Sequence, residues 1–195
     1  MLKVGVTGGI GSGKSTICKI FECIGIPVYY ADDRAKQLMV DNIKIVDQIT
    51  EIFGKEAYHE DGSLNRAHLA TIVFNDKEKL NMLNGIVHPA VREDGQNWHQ
   101  SQQNVPYTIK EAALMIESGN YKSMDEIIVV SAPVELRIQR VIQRDAVTRQ
   151  AVMARIDKQL PEPERLAFAD YVIVNDGKKS IVQQVWDIHQ ELLSF

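Results

Sequence analysis

The run Gly8-Gly9-Ile10-Gly11-Ser12-Gly13-Lys14-Ser15 fills every fixed position of the pattern G-x-x-x-x-G-K-[ST]. Residues of these types at this spacing hold polyphosphates. The glycines let successive backbone N–H groups turn inward around an anion with no Cβ in the way. Lys14 is a flexible point charge able to reach the β- and γ-phosphates, and the Ser15 hydroxyl is placed to hold Mg²⁺. Gly11, Ser12, Gly13, Lys14, Ser15 and Thr16 are therefore candidate nucleotide-binding residues. The context agrees: residues 2–7 predict a short strand, and residues 15–24 predict a helix with Ile17, Ile20, Phe21 and Ile24 on one face. Gly25 and Pro27 punctuate its end.

Charged side chains elsewhere could complete a phosphoryl-transfer site. Asp32 follows a predicted second strand at 28–30 and could accept a proton from an attacking hydroxyl. It could equally cap a helix over 34–39, and Asp33 is locally as suitable. Glu111, expected just after a third strand, is a candidate partner for Mg²⁺ or a plain surface carboxylate. Arg137, Arg140 and Arg144 lie three and four apart and would share a helix face with no acidic residue on it to compensate them. Arginines on a closing lid neutralise a transferring phosphoryl group well, and the expectation falls on Arg140 and Arg144 ahead of Arg137 and Arg155.

These groups need a frame to position them. A chain of 195 residues can bury a single-domain core. Strands are predicted at 105–109, 127–131 and 171–174, and helices at 134–144, 148–159 and 180–193. Alternation of this kind predicts an α/β fold: a P-loop-type parallel sheet of about five strands with helices on both faces. The long helical stretch, about 39–103, is expected to be a substrate-binding insertion within one domain, with a lid at about 140–165. Helix starts are signalled near Asn65 and near Asn75-Asp76, and Pro89 suits the first turn of a further helix through Trp98. A formal charge of −4 argues against a broad nucleic-acid surface, and no apolar run is long enough for a bilayer. Cys18 and Cys23, five apart, predict buried reduced thiols in a cytoplasmic protein. The oligomeric state is not readable.

A phosphate loop serves kinases, switches and motors alike. A guanine-selective switch should carry Asn/Thr-Lys-x-Asp late in the chain; Asn75-Asp76-Lys77-Glu78 does not fit it. The ordered set Val6 to Thr16, Tyr30-Ala31-Asp32, His88-Pro89, Leu114-Met115-Ile116-Glu117, Arg144-Asp145, Thr148-Arg149 and Ala169 to Gly177 resembles the dephospho-CoA kinase family. Tyr30 stands where that family's triplet begins with aspartate, Ala113 where it has proline, and Met115 where it has leucine. The resemblance implies transfer of the γ-phosphate of ATP to the 3′-hydroxyl of dephospho-CoA. It casts Asp32 as the carboxylate facing that hydroxyl, and Lys14 and Arg140 as stabilisers of the transferring group. Arg144 and Arg149 fall in the lid, and Asn175 and Gly177 near the adenine. Thr7, His88 and Glu117 join Asp32 on the acceptor side. A kinase for another small acceptor, such as a nucleoside monophosphate, and a slow nucleotide-dependent switch are the alternatives.

Overall fold

Val4 and Val6 are wholly buried at the centre of a five-stranded parallel sheet, in a computed structural model that describes residues 1–74 and 76–195. The strands are β1 (Leu2–Gly8), β2 (Val28–Tyr30), β3 (Tyr107–Glu111), β4 (Glu126–Ser131) and β5 (Tyr171–Val174), in the order β2-β3-β1-β4-β5. The chain leaves β1 for the β2 edge, returns to β3, then crosses to β4 on the other side of β1. Such a reversal opens a crevice at the carboxyl ends of the central strands, where α/β sheets bind ligands. The phosphate loop is the segment that leaves β1 at that point.

β3 begins two residues later than its apolar run suggests. Asn104 adopts a left-handed conformation (φ 59°), and Pro106 has no N–H to give to a ladder. The shift makes Glu111 the last residue of the strand, in register with Val6 of β1 and Tyr30 of β2, rather than a residue beyond it.

The chain divides into two compact units: Met1–Tyr30 with Ser101–Phe195, and Ala31–Gln100. In the first, α1 (Lys14–Cys23) and α9 (Ile181–Leu192) cover one sheet face. Ile17, Cys18 and Phe21 meet Val4, Val6, Ile109 and Ile128, and Val185, Ile188 and Leu192 complete the same core. Gly25, at φ 87°, closes α1, with the amides of Gly25 and Ile26 bonded to the carbonyls of Glu22 and Phe21 at 3.0 Å each. Cys18 is buried as expected, whereas Cys23 lies one turn on, past the apolar face, and is exposed. α6 (Val134–Asp145) and α7 (Arg149–Ile156) bury Ile138, Val141 and Val152 together with Ile10. α7 stops short of Gln159, and an unforeseen short helix, α8 (Glu162–Leu166), starts after Pro161, whose fixed φ suits a helix entry.

His189 of α9 is 8% exposed and shares a hydrogen bond between its Nδ1 and the Tyr107 hydroxyl, 2.7 Å away. Burial raises the phenol's pKa, which keeps it neutral, and lowers that of the imidazole. The unfolded chain therefore takes up a proton, near pH 6.5, where the folded chain does not. The stability that neutral His189 confers is present above that pH and lost as pH falls toward the lower folded value. Urea melts should show an acid limb below about pH 6.5 that His189→Gln flattens. An unchanged limb would assign it to another group.

The second unit is helical: α2 (Ala31–Asp41), α3 (Ile43–Phe53), α4 (Arg66–Phe74) and α5 (Lys77–Ser101), which runs on beyond it. Asn42 caps α3 through bonds from the amides of Lys44 and Ile45, and Ile45, Ile49 and Phe53 bury its apolar face. Asn65 caps α4 through the His68 amide at 3.1 Å, and Asp76 caps α5 through the amides of Glu78 and Lys79 at 2.9 and 3.0 Å. Asn75 lies outside the described residues. Pro89 does not open a helix; it sits inside α5. It removes one N–H and crowds the carbonyl four residues earlier, which is that of Gly85. A long helix tolerates that single loss, since the turns on either side remain bonded. Arg34 of α2 grips Asp94 of α5 through two bonds of 3.0 and 2.6 Å.

Candidate active site

The loop between β1 and α1 has the curvature its glycines permit. Gly13 stands just before α1 at φ 99°, and a Cβ there would collide with Asn175 Nδ2. Lys14 opens the helix, so the positive end of α1 faces the loop. Its Nζ reaches back across the loop to donate to the Gly8 carbonyl at 3.0 Å. Ser15 and Thr16, on the first turn, are exposed. Thr7 Oγ1 and Ser12 Oγ are buried with no hydrogen-bond partner among the described residues.

Arginine and asparagine hold this loop from behind. Asn175, just past β5, donates from Nδ2 to the Ser12 carbonyl at 2.8 Å. Its own amide donates to the Ser131 carbonyl at 2.8 Å, tying it to the end of β4. Arg140 donates to Asn175 O and Oδ1 at 3.2 and 3.1 Å, and to Ser12 O at 3.5 Å. The structure thus gathers Gly11, Ser12, Gly13, Lys14, Arg140 and Asn175 into one cluster. Asn175 was expected near an adenine; its side-chain amide also braces the loop backbone. Sequence spacing ranked Arg137 below Arg140 and Arg144, yet Arg137 is 3% exposed and bonded to the Ile10 carbonyl at 2.9 Å.

The remaining candidates lie in other settings. Arg144 pairs with Asp145 at 2.7 Å, and Arg155 bonds the same carboxylate at 3.0 Å, so the basic face is compensated after all. Arg149 forms a two-bond pair with Glu135 at 2.7 and 2.6 Å. These are solvent-screened pairs, easily exchanged for another anion. Glu117 accepts from the Leu160 amide at 2.9 Å. Gly177 (φ 79°) sits in a turn held by Asp176, which accepts from the amides of Lys178 and Lys179. In the helical unit, Asp32 and Asp33 occupy the exposed first turn of α2, so Asp32 is inside the helix rather than its cap. Ala31 enters the helix directly from β2 and leaves no capping position for it. His88 is exposed on α5, with its pKa lowered by desolvation and by Arg92.

Glu111 is 7% exposed at the carboxyl end of β3. Its charge is felt at Cys18 and Tyr30, whose pKa values rise chiefly through burial. No group of three or more His, Cys, Asp or Glu side chains among the described residues could hold a metal by itself. Mg²⁺ does not need one beside a nucleotide, because phosphates and waters supply most of its six oxygens. An exposed Ser15 hydroxyl at a helix start and a buried carboxylate at a strand end fit that partial role.

Comparisons with known proteins agree with this geometry. The family profile described as "CoaE: Dephospho-CoA kinase" matches residues 2–180. A dephospho-CoA kinase of Salinibacter ruber is 43% identical over 91% of this chain and 90% of its own length. A solved dephospho-CoA kinase from Campylobacter jejuni is 30% identical with a TM-score of 0.70, covering 98% of this chain and 97% of that one. The crystal structure of TT1252 from Thermus thermophilus is 31% identical with a TM-score of 0.88, over the same shares. With its loop, its braces and its sheet order in place, the chain belongs to the dephospho-CoA kinase family.

Proposed function

We propose that this chain transfers the γ-phosphate of ATP to the 3′-hydroxyl of the ribose of dephospho-CoA, the final step of coenzyme A biosynthesis. The acceptor oxygen attacks the γ-phosphorus in line, the bond to the β–γ bridging oxygen breaks, and ADP leaves. The hydroxyl proton passes to the Asp32 carboxylate. The observation that carries this reading is the braced loop: Lys14 arched over it, with Asn175 and Arg140 fixing the Ser12 carbonyl. In phosphoryl transfer there is little for a protein to do beyond positioning and charge neutralisation. Lys14 neutralises charge on the β- and γ-phosphates, and Arg140, held 3.1 Å from Asn175 Oδ1, adds a second cation beside the loop.

Ser15 and Glu111 would hold Mg²⁺, which would supply neutralisation of the phosphate charge. Arg144 and Arg149, both in exposed pairs, are assigned to a lid at about 140–165 that exchanges carboxylate for phosphate contacts. Gly177 is assigned to the adenine side, and Thr7, His88 and Glu117 to the acceptor side. A cytoplasmic setting suits two unpaired cysteines, and no described helix is long and apolar enough to cross a membrane. The position of transfer is tested by phosphorus and proton NMR of the product. A new phosphomonoester coupled to the 3′ ribose proton is expected; coupling to the 2′ proton would overturn the acceptor assignment.

A further inference from the structure

Ile10 stands at the apex of the phosphate loop, and side chains distant in sequence take both of its backbone groups. Its N–H donates to Gln159 Oε1 at 2.8 Å, and its carbonyl accepts from Arg137 Nε at 2.9 Å. Arg137 comes from the first half of α6, and Gln159 from the segment that follows α7. Neither side chain is free to wander. Arg137 Nη1 lies 3.4 Å from Glu162 Oε2, and the other oxygen of Glu162 accepts from Ser131 Oγ at the end of β4. The neighbour of Gln159 is tied on both sides: the Leu160 amide donates to Glu117 Oε1 at 2.9 Å, and its carbonyl accepts from Arg165 Nη2 at 2.6 Å.

The approach of Arg137 to the loop also explains a glycine. A Cβ on Gly9 would fall on the Arg137 guanidinium, whose side chain is only 4% exposed and has no room to retreat. The loop apex is thus gripped on its carbonyl by α6, on its amide by the segment after α7, and from above Gly9 by the guanidinium itself.

We propose that Arg137 and Gln159 are positioning residues that fix the loop apex in its phosphate-binding curvature through the backbone of Ile10. Their bonds are made before any nucleotide arrives, so the cradle is preorganised and the ordering cost is not charged to binding. The proposal rests on the loop holding the polyphosphate of ATP, and it is independent of the acceptor. Removing either side chain should therefore weaken ligands that carry a polyphosphate and spare adenosine, which carries none. Ligand affinity should change before maximal turnover does.

The test uses Arg137→Met and Gln159→Met, with calorimetric affinities for ATP, ADP and adenosine, the KM for dephospho-CoA, and Tm. Each variant is expected to raise the Kd for ATP and ADP by roughly tenfold, the scale of a lost hydrogen bond to a constrained backbone group. Affinity for adenosine, the KM for dephospho-CoA and saturated kcat should stay within about twofold, and the double variant should fall short of the product of the singles because both act on one residue. Gln159 is half-buried and Met has its length, so this variant decides the matter if Arg137→Met does not fold. Unchanged ATP affinity in folded Gln159→Met, or equal losses for ATP and adenosine, would overturn the proposal. Because nucleotide affinity is read directly, failure of dephospho-CoA as acceptor would appear separately, as wild-type ATP binding without turnover.

Discussion

Asp32→Asn lowers turnover of dephospho-CoA by on the order of 10²–10⁴-fold and leaves the affinity for ATP close to that of the unaltered chain. Asparagine keeps the size of the side chain and can still accept a hydrogen bond, but it cannot take up the hydroxyl proton. A merely structural role predicts a far smaller effect. Asp32 sits with Asp33 in the first turn of α2, where one negative charge near the helix start contributes about 0.3–1 kcal/mol. Loss of that much leaves the enzyme folded and fast. Steady-state kinetics with both substrates varied, alongside Tm, separates the cases. Near-normal kcat with a slightly lowered Tm would reduce Asp32 to a helix-dipole residue.

Lys14→Ala should act on the other substrate. The ammonium bonded to the Gly8 carbonyl at 3.0 Å is the loop's own cation, and its removal leaves charge on the phosphates uncompensated during transfer. Loss of one preorganised donor to developing charge typically costs on the order of 10²–10³ in kcat. The expected pattern is that loss, together with weakened ATP binding and an unaltered affinity for dephospho-CoA. Pre-steady-state phosphoryl transfer and nucleotide titration measure it. An effect confined to the acceptor KM would contradict the placement of Lys14 at the donor phosphates.

Local features were legible in the amino-acid sequence, and features closed by distant contacts were not. The phosphate loop, α1 with its Gly25 ending, β5 at residues 171–174 and the caps Asn65 and Asp76 all follow from residue types a few positions apart. β3 came out two residues away because Asn104 and Pro106 outweigh the apolar run that begins at Val105. Pro89 misled because its helix gains more from continuing than it loses at one amide. Within the site, Lys14 and Ser15 are fixed by their pattern, whereas Arg137 reaches Ile10 across 127 positions and Gln159 reaches it across 149. No periodicity marks such a contact. Asn175 illustrates the same limit: its place after β5 was readable, but its bond to Ser12 O spans 163 positions. Helical spacing correctly put Arg137 and Arg140 together, but it could not tell a buried brace from exposed Arg144, whose partner Asp145 is its own neighbour.

The most direct test of the central assignment is an acceptor panel. The purified chain is incubated with Mg·ATP and, separately, dephospho-CoA, adenosine monophosphate, cytidine monophosphate or no acceptor, and ADP release is followed. Fast, stoichiometric ADP formation with dephospho-CoA, and only slow hydrolysis in every other tube, is the predicted result. No turnover of dephospho-CoA with rapid turnover of a nucleoside monophosphate would contradict it.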